Sequence, residues 1–217
     1  MNTVHTTANP LATGADELER LALEEVVKRR RFDNPVTALV APVGAADLAI
    51  AMAKLGARVT LGDEAAMADR ARTLAAAAGF DDELAFSPLD FQHLEDDLSG
   101  EPFDLVVIRR GLCGVPYEDA RRFVHQMLLR LKIGGKLYVS ILGLHSELGD
   151  GYAGAEQGLS ERFCSLAPAM AKKYDLHRPV CLYSERNLFT LLLEAGGSVL
   201  RTFTTTHGNV KGIAVRV

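Results

Sequence analysis

The stretch TALVAPVGAADLAIAMAKLGARVTLGD, residues 37–63, decides the fold. Its apolar start predicts a buried strand, residues 42–45 predict a tight turn, and the Ala-, Leu-, Ile- and Met-rich segment up to Gly56 predicts a helix. A second apolar run, residues 58–61, predicts another strand that ends at Asp63. A strand, a turn, a helix and a strand with an acid at its end form, in this order, a βαβ nucleotide-binding unit.

The turn and the acid supply the groups that a nucleotide needs. The first turn of a helix presents backbone N–H groups without intrahelical partners, and Gly44 lets the backbone approach a ligand closely. Asp63 can accept hydrogen bonds from both ribose hydroxyls. The alternative is any βαβ unit whose turn happens to contain a glycine, since Pro42 and Ala46 occupy the neighbouring glycine-type positions. The expected cofactor-binding residues of this unit are Val43, Gly44, Ala45, Asp63 and Glu64.

Length and composition favour one domain that binds neither a membrane nor nucleic acid. The 217 residues, 48% hydrophobic and 24% charged, can bury one substantial core. A net charge of −4 without a concentrated basic face argues against nucleic-acid binding. No apolar run reaches membrane-spanning length and the N-terminus lacks a signal-peptide pattern, so we expect a cytoplasmic location. The three cysteines lie far apart without CxxC pairing, which indicates neither a disulfide framework nor a metal site.

Strands and helices alternate along the rest of the chain. Helices are predicted at residues 15–31, 64–79, 117–131 and 185–195, and strands at 84–87, 103–110 and 136–144. This alternation predicts an α/β fold with a mostly parallel sheet covered by helices on both faces. Residues 198–206 and 210–217 are two predicted strands joined by the turn His207-Gly208-Asn209, so the sheet ends in an antiparallel hairpin.

Three co-linear motifs resemble those of the class I S-adenosylmethionine-dependent methyltransferases over residues 36–217. FDLVVIRRGLCGVPYEDARRFVHQMLLRLKIGGKLYVSI, residues 103–141, is similar to the family's FDLV strand, loop, helix ending in LKPGG and next strand. GARVTLGDEAAMADRAR, residues 56–72, is similar to its second strand, and SERNLFTLLLEAGGSVLRTF, residues 184–203, to its last helix and penultimate strand. The resemblance implies a three-layer α/β/α domain with a doubly wound, seven-stranded sheet of order 3-2-1-4-5-7-6.

The resemblance also implies a cofactor and its contacts. The cofactor is S-adenosyl-L-methionine, whose ribose hydroxyls bind to Asp63. Asp90 receives the adenine amino group, and the backbone N–H of Phe91 meets the ring. Arg109 is expected beside them, because the carboxyl ends of parallel strands meet at one edge of the sheet. Residues 1–35 form an N-terminal cap of one segment and one helix, and residues 143–183 are an inserted substrate cap within the Rossmann-like domain.

Three positions depart from the family pattern. Val40 stands where an acid is usual, and Pro42 and Ala46 stand where glycines are usual. Proline also removes a backbone donor and fixes φ. Two functions therefore stay open. The first is an S-adenosylmethionine-dependent methyltransferase acting on a small molecule, and the second is a catalytically inactive methyltransferase-like protein that serves as a regulator, binding module or scaffold subunit.

The acceptor site is predicted near the end of the fifth strand. His145 follows that strand and is the candidate general base, with a packed or surface histidine as the alternative. Arg109 and Arg110 are candidate ligands for a carboxylate or phosphate, with structural ion pairing as the alternative. The other candidate substrate-binding residues are Tyr152, His177 and Tyr183. The motif Asn-Pro-Pro-Tyr of nucleic-acid amino-methyltransferases is absent, so a small molecule is the expected acceptor, and a homodimer or a partner protein is left open.

Overall fold

The computed structural model describes residues 16–32, 35–92 and 100–217. Its helices are α1 Glu17–Arg29, α2 Ala46–Lys54, α3 Ala68–Ala78, α4 Tyr117–Leu129, α5 Pro168–Tyr174 and α6 Glu185–Glu194. Its strands are β1 Val36–Ala41, β2 Ala57–Asp63, β3 Leu84–Pro88, β4 Phe103–Arg109, β5 Leu131–Ile141, β6 Ser198–Thr204 and β7 Val210–Val215. No helix in these residues is long and apolar enough to cross a bilayer.

The strands form one seven-stranded sheet in the order β3-β2-β1-β4-β5-β7-β6. The first five strands run parallel, and β7 pairs antiparallel with both β5 and β6. The connection between β6 and β7 spans only residues 205–209, which is too short for a parallel crossover. The predicted fold class and strand order are therefore confirmed.

Each face of the sheet packs against its own layer of helices. Along β1, Ala38 and Val40 face the core of α1, α2 and α3, whereas Leu39 and Ala41 face the core of α4, α6 and the residues after β5. All four side chains are at most 3% exposed. Burial on both faces explains why β1 is a continuous apolar run, and it leaves the carboxyl edge of the strands as the place for a ligand.

Helix α4 ends earlier and strand β5 begins earlier than the sequence predicts. The helix ends at Leu129, and the LKIGG segment belongs to the strand, whose first residue, Leu131, pairs with Phe103. The N–H of Gly134 donates to the carbonyl oxygen of Arg216 at 2.8 Å. Gly134 has a φ of 75°, which glycine adopts without steric cost, so the segment bends within the strand instead of forming a separate loop.

Residues 143–183, the predicted substrate cap, form three short 3-10 turns and α5 around the buried side chain of Arg162. Its guanidinium donates to the carbonyl oxygens of Gly154 at 3.0 Å, Gln157 at 2.9 Å and Leu182 at 3.3 Å. It also donates to Oδ1 of Asn187, on α6, at 2.7 Å. One side chain therefore ties this irregular segment to itself and to the domain.

Asp104, which is 1% exposed, joins the amino ends of three strands. Its carboxylate accepts the N–H of Thr37 at 2.9 Å and the ammonium of Lys132 at 2.8 Å. We expect Asp104→Asn to lower the free energy of unfolding at pH 7 by about 2 kcal/mol, because the change weakens several hydrogen bonds to a buried charged group, each of which contributes about 1.5–3 kcal/mol. Urea unfolding of both proteins measures this difference.

The effect of Asp104→Asn is expected to depend on pH. Burial raises the pKa of the Asp104 carboxyl, but the hydrogen bonds from Lys132 and Thr37 outweigh burial and hold its pKa below the ordinary value. Such a carboxylate stabilises the fold above its unfolded-state pKa of about 3.9, and this contribution is lost as the pH falls through the folded-state pKa. The free energies of the two proteins should converge in acid. A difference that stays constant between neutral pH and about pH 3 contradicts this account.

Candidate functional site

Asp63, the last residue of β2, lies at the centre of the predicted cofactor residues. Its Oδ2 accepts the N–H of Val43 at 2.8 Å, and its Oδ1 accepts the N–H of Glu64 at 2.8 Å. Val43 opens a 3-10 turn, Val43–Ala45, that leads from β1 to α2. The two strands run parallel and in register, with Val40 beside Leu61. The acid that ends β2 therefore fixes the turn that follows β1.

The turn accommodates Pro42 and Ala46, and protein acceptors use most of its N–H groups. The N–H of Ala45 donates to the carbonyl oxygen of Pro42 at 2.9 Å, and that of Ala46 donates to the carbonyl oxygen of Val43. The amides of Val43 and Ala45, which we expected to face a ligand, and that of Ala46 are thus paired within the protein. Gly44 is exposed, and a Cβ at this position would meet no atom within 4 Å. Open space lies beside the turn at Gly44.

Asp90 and Phe91 follow β3 at the same edge of the sheet. The N–H of Leu89 donates to the carbonyl oxygen of Asp63 at 2.8 Å, which holds this segment beside the end of β2. Asp90 is exposed, and its Oδ1 accepts the backbone N–H two residues further along at 2.8 Å. The ring of Phe91 stacks on Phe123 of α4, with the ring centroids 4.5 Å apart. The Phe91 side chain therefore packs inward, and Asp90 follows directly after Leu89, whose backbone is hydrogen-bonded to Asp63.

Arg109 and Arg110, at the end of β4, are in different environments. Arg109 is 7% exposed and forms an ion pair with Glu19 of α1, so this predicted cofactor ligand is engaged by α1. This is the structural ion pair named above as the alternative. Arg110 is partly buried and has a φ of 61°, a left-handed conformation that is uncommon outside glycine.

Lys211 of β7 brings a third cation to the same part of the edge. It is 2% exposed, donates to Oγ of Ser140 at 2.7 Å and pairs with the carboxylate of Asp16, which caps α1. Burial lowers the pKa of Lys211, while Asp16 raises it, and the two arginines lower it further. We call Arg109, Arg110 and Lys211 the cationic cluster.

Of the predicted acceptor residues other than Arg110, the two histidines are exposed and the two tyrosines are buried. His145 is exposed in the turn after β5, and His177 is exposed on the cap, with its Nε2 3.1 Å from Oδ1 of Asp175. Tyr152 and Tyr183 are 3% and 0% exposed. The Tyr152 hydroxyl donates to a backbone carbonyl of the cap at 2.6 Å, and burial raises the pKa of both tyrosines. Both tyrosines pack the interior of the cap in this structure.

Sequence reasoning missed Asp16, Glu19 and Lys211. Two acids at the start of a helix are ordinary partners of the helix dipole, so Asp16 and Glu19 gave no sign of a site. A weak signal did exist for Lys211, because it stands alone as a charge in the run VKGIAV, most of which is buried. A lone lysine in a buried strand requires a partner, but the sequence does not name it.

The turn at Gly44 and the residues Asp63, Asp90 and Arg109 lie in a stretch that matches a known family. The family whose description is "Methyltransferase domain" matches residues 41–139, which run from the end of β1 into β5. Over these residues, which are less than half of the chain, the protein is similar to a methyltransferase domain. The resemblance to class I S-adenosylmethionine-dependent methyltransferases is therefore confirmed by the family match together with the strand order. No curated protein matches the chain.

Solved structures share the fold of this chain. An O-methyltransferase family protein from Burkholderia thailandensis is 15% identical, with 92% of this chain and 56% of that chain covered, at a TM-score of 0.64. An O-methyltransferase family 2 protein from Planctomyces limnophilus DSM 3776, in complex with apigenin, is 16% identical, with 95% and 63% covered, at a TM-score of 0.60. Magnesium protoporphyrin IX methyltransferase (ChlM) from Synechocystis PCC 6803, with bound SAH, is 18% identical, with 92% and 82% covered, at a TM-score of 0.59. The chain thus spans little more than half the length of the first of these proteins.

Proposed function

We propose that the protein is an S-adenosylmethionine-dependent methyltransferase that acts on a small-molecule acceptor. The observation that carries the proposal is the contact of Asp63 with the turn after β1, inside the stretch that is similar to a methyltransferase domain. This contact sets a carboxylate beside the open space at Gly44, on the edge where ligands of parallel sheets bind. The SAH in ChlM supports this cofactor, and the apigenin in the Planctomyces protein supports a small-molecule acceptor.

The residues of the edge hold the cofactor in this proposal. Each carboxylate oxygen of Asp63 accepts one backbone N–H and keeps a second lone pair for a ribose hydroxyl. Asp90 accepts the adenine amino group, and the N–H of Phe91 donates to the adenine ring. Gly44 leaves room for the methionyl part, because no side chain projects from it. When bound, the cofactor supplies a methyl group on a sulfonium.

The contribution of this chain to methyl transfer is mainly orientation. Holding two reactants in line for reaction supplies about 7–11 kcal/mol of the barrier reduction. A general base is required only when the acceptor carries a poorly acidic proton. His145 remains the proposed base, because it is exposed in the turn after β5, the neighbour of β4 in the sheet.

A regulator or scaffold without catalysis is the second candidate. The internal pairing of the Val43, Ala45 and Ala46 amides favours it, because these groups are then not offered to a ligand. Calorimetric titration with S-adenosylmethionine and SAH separates the two candidates. We expect micromolar dissociation constants for an enzyme, and a dissociation constant weaker than about 1 mM favours the scaffold. Release of SAH from S-adenosylmethionine in the presence of a panel of hydroxylated small molecules then tests catalysis directly.

Asp63→Asn is expected to weaken SAH binding by about tenfold or more, since a hydrogen bond to a charged group contributes about 1.5–3 kcal/mol. The free energy of unfolding is expected to fall by no more than about 1–2 kcal/mol, because the asparagine oxygen still accepts the N–H of Val43 although its amide nitrogen cannot accept that of Glu64. Calorimetry measures the first effect and urea unfolding the second. Asp69→Asn, at an exposed acid of α3, is the matched control. An SAH affinity of Asp63→Asn within twofold of wild type removes Asp63 from the ribose site.

A further inference from the structure

The cationic cluster lies on one half of the carboxyl edge, and Asp63 and Asp90, the residues proposed to bind the nucleoside, lie on the other half. Asp63 ends β2, whereas Arg109 ends β4, and Lys211 lies on β7 opposite Ser140 of β5. In the observed strand order, β2 and β7 are four strand spacings apart, a distance of about 19 Å. β1, which carries the turn at Gly44, lies between the two groups. A molecule that meets the cluster therefore approaches the centre of the edge from the side opposite the nucleoside.

The cluster holds three cations close enough to affect one another. Arg109 lowers the pKa of Arg110, after the larger effect of burial, and both arginines lower the pKa of Lys211. Among the described residues, the acids whose charge acts on all three cations are Asp16 and Glu19, at the start of α1. Burial raises the pKa of Glu19, and its pairing with Arg109 offsets only part of that effect. The cluster is therefore a cation-rich site in surroundings that are poor in water.

Arg110 is the member of the cluster that a ligand can reach. Arg109 and Lys211 are almost fully buried, whereas Arg110 is only partly buried. Its left-handed backbone conformation costs free energy in a residue with a Cβ, and such residues occur preferentially at ligand sites. A guanidinium also binds planar anions through two parallel N–H donors. These properties distinguish Arg110 from an arginine that only fills the interior.

We propose that the methyl acceptor carries an anionic group, a carboxylate or a phosphate, and that Arg110 binds it with Arg109 and Lys211 behind it. This inference rests on the proposed function, because it assigns the acceptor half of the same site. Arg109 and Lys211 hold Arg110 in a positive field, and their own pairs with Glu19 and Asp16 keep them in place. The anion anchors the acceptor, and its reactive oxygen or nitrogen then points toward the centre of the edge.

The test is calorimetric titration in saturating SAH with three probes of similar shape. 4-Hydroxybenzoate and phenyl phosphate carry the anion, and 4-hydroxybenzamide is the neutral control. We expect wild-type protein to bind at least one anionic probe about tenfold more tightly than the amide. Arg110→Asn is expected to abolish that preference and to stay folded, because asparagine tolerates φ near 60° better than other non-glycine residues. Arg110→Lys is expected to retain part of the preference for the anionic probe. Arg72→Gln, a control at an exposed residue of α3, is expected to retain all of it.

Two results overturn the proposal. One is that the wild-type protein binds all three probes with affinities that agree within twofold. The other is an Arg110→Asn protein that binds SAH more weakly but binds 5′-methylthioadenosine, which lacks the carboxylate, as wild type does. That result assigns the cluster to the carboxylate of the cofactor. Failure of the wild-type protein to bind SAH contradicts the proposed function instead, and titration of the probes without SAH then tests the cluster by itself.

Discussion

Arg162→Met is expected to lower the free energy of unfolding by about 3–5 kcal/mol. The guanidinium donates to three backbone carbonyls and to Asn187, and these acceptors lie in the cap and at the start of α6. Methionine fills much of the volume but donates no hydrogen bond, so several buried acceptors lose their partner at once. Since small domains are stable by only about 5–15 kcal/mol, this one change removes a large part of the total.

Urea unfolding, followed by the fluorescence of the tyrosines, measures the loss for Arg162→Met. The matched control is Arg178→Met, which removes the same group from an exposed position of the same cap. We expect the control to change the free energy of unfolding by less than about 0.5 kcal/mol. Equal losses in the two variants would show that charge, rather than the hydrogen bonds of Arg162, stabilises the cap.

The strand order was predictable because local patterns determine it. Alternating apolar runs and helices allow few topologies, and the short turn at 205–209 forces β6 and β7 to pair antiparallel. The role of Arg162 was not predictable by the same reasoning. Its acceptors are mostly backbone carbonyls, and carbonyls have no signature in the sequence. The same holds for the segment 131–135, where a glycine pair that resembles a helix end lies inside a strand.

The residues of the proposed cofactor half share one edge because of their positions at strand ends, whereas the residues of the proposed acceptor half depend on contacts between distant segments. Asp63 is the last residue of β2 and Asp90 lies two residues after the end of β3, so parallel pairing brings them to one edge. Lys211 and Asp16 are 195 residues apart, and only the packing of α1 against the sheet unites them. His177 lies at the surface of the cap, and no sequence pattern predicts whether a side chain in such an irregular segment points inward or outward. Predictions failed where a contact depends on how an irregular segment or a helix packs.

Gly44→Val is expected to weaken SAH binding by at least about 100-fold, which corresponds to about 2.7 kcal/mol. Gly44 does not have a positive φ, and a Cβ there meets no protein atom within 4 Å. The free protein therefore has room for the valine, and we expect its stability to change by less than about 1 kcal/mol. The valine methyl groups would instead occupy the space beside the turn that the proposed function assigns to the methionyl part of the cofactor.

Gly158→Val is the matched control for Gly44→Val, because Gly158 is also exposed and also has open space at its Cβ position. Its φ is −59°, which valine adopts without strain. Calorimetry with SAH on both variants, together with thermal unfolding, separates loss of binding from loss of fold. Wild-type SAH affinity in a folded Gly44→Val protein would show that the space beside the turn is not the cofactor site. Loss of affinity in Gly44→Val alone, with both variants folded, would locate the cofactor there in spite of Pro42 and Ala46.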